Sequence, residues 1–552
     1  METAASSSIQ TTNKHGVKAS AKNRGLTIHM ITQYTYPSLG EAIKYFVSTM
    51  GILPRKNEVK EDTNTSEAEK KKIQKQIERL AREEGHLQAQ FNALIPSINT
   101  YLTDSISCPI VAAQICSVAN KLHESYKELL VGQGTFMSQR DTVLYFIKNF
   151  AIEACVTESS LAYLIYQDLR SDAVWPEEDF WYLPEERDGK IVWPIANAMK
   201  WAYSITELSQ TQFHKPADSE DVFNRLENNL KNASKWTHGK SIPSMLGLTK
   251  NIRDSLEAQE NNGKKIPSEV KDSILATISL SLILTSLAQD VKRNYGAETL
   301  FQLTDQIKQY VYWIREDIDE FQKNYSEEIQ LRKIDENISA QKLKYKMLSS
   351  YLPFFHEKCQ RARHPISEHI LHQRSIDRAM VNWLAKRYGN YAAKVPEYAY
   401  DNSHINVPEG FSLLMPIALT MINDNNITLK DIDNFSNSLQ AYNLDKQLPW
   451  VADWLYGGYY YRKDDFEKAH QHFQKSFQYG KYRAGNTFYR ALNQHIEICA
   501  KLDKWREFKK AALWAKYLGI PVRWLRDEEP TDENLRVAYR YLGLKNCKYP
   551  RL

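Results

Sequence analysis

The sequence predicts a mostly α-helical protein built from several helical units, and three observations carry that prediction. Glycine and proline are scarce, 20 and 19 among 552 residues, so few positions interrupt a helix. Hydrophobic residues make up 42% and charged residues 25%, a globular balance. Apolar residues recur at steps of three and four, as in Leu300, Leu303, Ile307, Val311, Ile314, Ile318 and Phe321, the period of one helical face.

Taken in order, residues 1–25 read as a flexible arm with scattered Lys and Arg. Residues 26–174 form an N-terminal helical region. Pro37 and Ser38 open a helix that Gly51 and Pro54 stop. Ser66 with Glu69 three residues on is a capping-box pattern. From it runs the stripe Ile73, Ile77, Leu80, Leu87, Phe91, Leu94, broken once near Glu84 and predicted to end at Pro96. That stripe suits one arm of a helical hairpin or a short coiled coil over 66–95. Several packed helices are expected from Tyr101 to Leu169. The stretch Phe180 to Trp193 breaks the helical pattern. Its two β-branched and aromatic runs around Asp188-Gly189 predict a small hairpin, with a loop longer than two residues.

Residues 175–257 join this hairpin to a second, helical segment, and 258–445 are expected to be a central helical domain. Its most apolar run, Ile274 to Ala288, is shorter than the roughly 20 residues a bilayer span needs, so it reads as a buried core helix and no membrane partner is expected. The last unit, 446–552, stands apart.

Net charge is +5, too mild to establish a partner by itself. The six cysteines (Cys108, Cys116, Cys155, Cys359, Cys499, Cys547) form no Cys-x-x-Cys pair, which fits a reducing compartment. The N-terminus shows no apolar secretory run, so a cytoplasmic location is expected. No GxxxxGK[ST], GxSxG or HExxH motif occurs, and no cofactor is expected.

In the last unit, Trp454, Gly457, Tyr460, Phe466, Ala469 and Phe473 resemble a tetratricopeptide repeat, with Ser476 standing where the family prefers Ala. A second, weaker copy sets Trp505, Phe508, Ala512 and Ala515 against Phe466, Ala469, Phe473 and Ser476. The offset is 39 residues where the family has 34. The resemblance covers 448–521 and implies a protein-binding unit.

The segment Ser234 to Ser244, Ser-Lys-Trp-x-x-Gly-Lys-x-x-Pro-Ser, resembles the end of the recognition helix in lambda-repressor/Cro-type helix-turn-helix domains. Trp236, Gly239 and Pro243 take the family's core, turn and next-helix roles, and Leu248, Ile252 and Leu256 follow at helical spacing. Upstream, Glu207 to Phe213 resembles the second helix of that family, with Ser209 as its N-cap and Gln210 near phosphate, and Ile195 to Thr206 its first. The resemblance, over about 195–256, implies binding of duplex DNA along its phosphate backbone and major groove. Lys231, Asn232, Ser234 and Lys235 would face the nucleic acid, Asn232 reading an adenine edge and Lys240 meeting phosphate. Charge agrees: between Val222 and Arg253 there are six Lys or Arg and one acid, Glu227. Ser209 and Trp236 are 27 residues apart, about nine more than the family has, and Lys215 to Phe223 reads as an insertion. Glu227 stands where the family's turn residue falls. Val222, Leu226, Leu230, Ala233 and Trp236 also fit one continuous helix capped by Asp218 or Ser219.

Helix-turn-helix plus helical repeats further resembles accessory proteins of bacterial antiphage systems, including retrons. That implies an effector or regulator in antiviral defence, with a reverse transcriptase complex as partner of the C-terminal unit. Two alternatives from other classes stand beside it. One is a protein-interaction scaffold without nucleic acid. The other is a ribonuclease, because Arg363-His364-x4-His369 resembles the HEPN motif and would make Arg363 and His369 catalytic. Arg24 with His29 and Arg490 with His495 also pair an Arg and a His separated by four to six residues, which chance alone supplies about twice in such a chain. The neighbouring cluster of His356, Cys359, His364, His369 and His372 fits no common zinc spacing, and no metal is expected.

Overall fold

A computed structural model describes residues 37–50, 67–83, 85–106, 108–132, 139–169, 173–213, 222–312, 314–316, 410–485, 488–525 and 528–544. Arg363 and His369, the histidine cluster around them and the proposed caps Ser66, Asp218 and Ser219 lie outside these residues.

The described chain is helical apart from one two-stranded ribbon. Helices α1 (Leu39–Thr49), α2 (Glu67–Ala81), α3 (Leu87–Ile106) and α4 (Pro109–Gly132) pack in succession. The stripe Ile73, Ile77, Leu80, Leu87, Phe91 and Leu94 is buried throughout. Between Leu80 and Leu87 the chain turns from α2 into α3, with positive φ at Glu83 and Gly85. Pro96 does not end α3; it lies inside the helix. Leu94, Ile98, Tyr101 and Leu102 are buried on either side of it, and this packing offsets a helix-interior proline penalty of about 3 kcal/mol.

Helix α5 (Gln139–Phe146) runs through a π-helical turn (Ile147–Ala151) into α6 (Ile152–Leu169). Strands β1 (Glu185–Arg187) and β2 (Lys190–Val192) pair antiparallel. Their loop is only Asp188-Gly189, shorter than the sequence suggested. Both residues adopt positive φ, 52° and 69°, which matches the right-handed twist of the flanking strands.

Helices α7 (Pro194–Thr206), α8 (Gln210–Phe213), α9 (Val222–Thr237) and α10 (Met245–Asn261) then lead to α11 (Ser268–Tyr295). Helix α11 is long and apolar enough to cross a membrane, yet two-thirds of its apolar window is buried inside the protein, 67%. It is a core helix, packed against α1, α3, α7 and α10. Helix α12 (297–312) completes a smaller core in which Leu303, Tyr310, Val311 and Ile314 meet Leu144, Ile152 and Val156.

Helices α13 (Phe411–Asn423) and α14 (Leu429–Ala441) pack on α15 (Pro449–Arg462), which pairs with α16 (Phe466–Gly480). A second pair follows, α17 (Phe488–Lys501) with α18 (Trp505–Tyr517), and α19 (Asp532–Gly543) closes the unit. The two hairpins turn 39 residues apart, each through a positive-φ aspartate, Asp464 or Asp503. At Gly457 a β-carbon would lie 2.7 Å from the Phe473 ring, so the α15–α16 approach needs a glycine there.

Only part of the expected 258–445 domain, 258–312, 314–316 and 410–445, lies among the described residues. Its first described helices pack with the N-terminal body, and α13 and α14 pack with the C-terminal hairpins. The C-terminal helices also share one continuous core with the N-terminal body. Helix α18 meets α3, and His123 Nε2 lies 2.5 Å from Tyr517 Oη.

Candidate nucleic-acid interface

Helix α9 is one uninterrupted helix of 16 residues, passing straight through Glu227. The helix-turn-helix turn expected at that position is therefore absent. Its inner side is fixed by Ala233, fully buried, and by Asn229, whose Nδ2 donates to Thr211 O of α8 at 2.8 Å. Trp236 is half-buried against the core rather than enclosed, and Leu230, read as part of the apolar stripe, is 45% exposed.

At about 100° per residue, Lys231, Ser234, Lys235 and His238 point away from the buried side, and all four are exposed. Asn232 is exposed too but lies at the edge of this arc, beside Trp236. Lys231 Nζ sits 2.7 Å from Glu227 Oε1, so part of its charge is compensated. Lys235 and Lys240 have no acidic partner among the described residues.

Ser209 and Gln210 are exposed at the start of α8. Ser209 occupies the N-cap position, but its hydroxyl bonds the Thr211 hydroxyl (2.8 Å) and Gln212 Oε1 (3.0 Å). Gln212 in turn accepts the Ser209 backbone N–H at 2.9 Å, which is half of a capping box.

The chain leaves α9 through Gly239, with φ of 63°. A side chain there would be strained by the backbone. It would also strike Gln289 Nε2 and lie 2.6 Å from Trp193 Nε1. Gln289 Nε2 donates to Gly239 O at 2.9 Å and fixes the loop on α11. Ser244 then caps α10, its hydroxyl accepting from Gly247 N–H at 3.1 Å.

This junction opens a shallow cleft of about 390 Å³ lined by Trp193, His238, Gly239, Lys240, Gln289, Lys292 and Arg293. Lys292 and Arg293 come from the last turn of α11. Lys292 Nζ stands 5.6 Å from the centre of the Trp193 ring, and Arg293 Nη1 is 3.4 Å from Asp290 Oδ1. Three basic side chains, Lys240, Lys292 and Arg293, thus line this cleft at the end of α9, with Arg293 partly compensated by Asp290. Sequence reasoning found Lys240 and missed Lys292, Arg293 and Trp193. Lys292 and Arg293 follow the apolar run Ile274 to Ala288 in sequence, and the only available signal was their adjacency beyond its end.

No protein-family model matches the chain, and neither a curated protein nor a solved structure matches it.

Proposed function

We propose that this protein binds nucleic acid, with duplex DNA as its ligand, through the outward face of α9 and the basic cleft after it. The observation that carries the reading is this cleft. Lys240, Lys292 and Arg293 from two elements line one open surface next to Lys231 and Lys235. Such a surface meets phosphates, and a 16-residue helix, about 24 Å long, can lie in a groove about 12 Å wide. The role in antiviral defence and the reverse transcriptase partner rest on the sequence resemblance alone.

Glu227→Gln provides a test with a distinctive sign. Freeing Lys231 from its intrahelical partner is expected to tighten binding to duplex DNA several-fold at low salt, measured by gel shift. Unchanged or weaker binding would count against the face of α9 as the contact surface.

A scaffold reading has one observation in its favour. Trp524 and Tyr541 are stacked at 5.0 Å and are 50% and 49% exposed, close in sequence to the exposed Val537 and Leu544. Exposed aromatics of this kind suit protein contacts.

A further inference from the structure

Where the two C-terminal hairpins meet, several chemistry-bearing side chains gather. His470 of α16, Cys499 of α17 and Glu507 of α18 bring one imidazole nitrogen, one sulfur and one carboxylate oxygen within 4.8 Å of one another. His470 Nε2 is 2.7 Å from Glu507 Oε2. One turn before Cys499 on the same helix, His495 places its ring nitrogens 3.8 and 3.9 Å from the sulfur. Its ring stacks on that of His470 with centroids 5.9 Å apart.

From this juxtaposition we propose that His470, Cys499 and Glu507 form a site for a zinc-class divalent cation, with His495 beside it as a fourth donor. This departs from the expectation of no metal, and it stands independently of the nucleic-acid reading. Thiolate, imidazole and carboxylate are the donor set of tetrahedral zinc. Bond lengths of about 2.0–2.3 Å to such an ion place its ligand atoms roughly 3.3–3.7 Å apart, so shifts of about 1 Å seat the ion here. His470, His495 and Cys499 are 4%, 2% and 0% exposed, which holds their positions by packing. The Glu507 side chain is 38% exposed and leaves a route from solvent. Burial holds His495 neutral, the form in which imidazole binds metal, with its pKa lowered to about 3. Burial raises the Cys499 pKa and keeps it a neutral thiol in the empty site, so binding an ion displaces its proton to solvent. A bound ion would join three helices of two hairpins and stabilise the folded C-terminal unit.

The test uses the full chain, stripped of metal and titrated with Co²⁺, then with Zn²⁺ in competition. One cobalt per chain, a thiolate-to-cobalt charge-transfer band and its loss on adding zinc are expected. Cys499→Ser should abolish the band, and Cys359→Ser should leave it intact. Because Cys499 is fully buried, Glu507→Gln serves as a variant less disruptive to the core. It should keep its helical circular dichroism and weaken zinc binding at least tenfold. A wild-type chain that shows no band overturns the site. So does a band that persists in Cys499→Ser, or zinc binding unchanged in Glu507→Gln.

Discussion

Gly239 couples the exit of α9 to the floor of the basic cleft. Its positive φ and the contacts a β-carbon would make with Trp193 and Gln289 both oppose any side chain. Gly239→Ala is therefore expected to destabilise the fold by about 1–3 kcal/mol, measured by urea denaturation. A neutral result would mean the loop is free to leave Trp193. The turn was legible in the sequence, because Gly239, Pro243 and Ser244 act on their own neighbours. Lys292, Arg293 and Trp193 were not legible as partners of Lys240. About fifty residues separate them from it on either side, and only the packing of α11 and α7 brings them together. Asn232 shows a related limit. Its residue type suits base reading, yet the helical phase puts it at the rim of the face rather than its centre.

At the scale of elements, periodicity identified the helices well and punctuation placed their ends less well. Pro96 reads locally as a stop, but α3 continues because the buried residues before and after it hold both halves in one core. Pro96 itself is exposed, so Pro96→Ala removes little packing and restores a backbone donor. An increase in unfolding free energy of up to about 3 kcal/mol is expected in a denaturant titration. A loss of stability would show that the proline is needed where it stands. Helix α9 teaches the converse. Its apolar spacing allowed either a broken or a continuous helix, and no glycine or proline inside it forces the break. In the C-terminal hairpins the 39-residue offset was legible from four matched positions in α16 and α18. Their matching aspartate turns were not, because a positive φ at aspartate leaves no mark in composition.

The whole molecule is held together across long sequence distances by contacts that composition does not show. His123 stacks on Phe91 at 3.7 Å and reaches Tyr517, joining α4 to α18. Burial lowers its pKa from the usual 6.5, against the pull of neighbouring Glu124. The unfolded chain therefore binds this proton more readily than the folded one. Its contribution to stability is complete above pH 6.5 and is lost as pH falls from there toward the lowered folded value. Melting temperature is expected to drop between pH 7 and pH 5, with a shallower slope in His123→Asn. Equal slopes would remove His123 from the account.

The central claim, that the α9 face and its cleft lie against DNA, concerns the molecule's electrostatic surface as a whole. It is tested most directly by fluorescence anisotropy of a labelled duplex titrated at about 50 and 200 mM salt. Neutralising about four phosphates predicts a loss of affinity on the order of a hundredfold between these conditions. The Lys235→Ala/Lys240→Ala/Lys292→Ala variant should bind more weakly at low salt and lose most of that salt dependence. Duplex binding that ignores salt, or a triple variant indistinguishable from wild type, would contradict the claim.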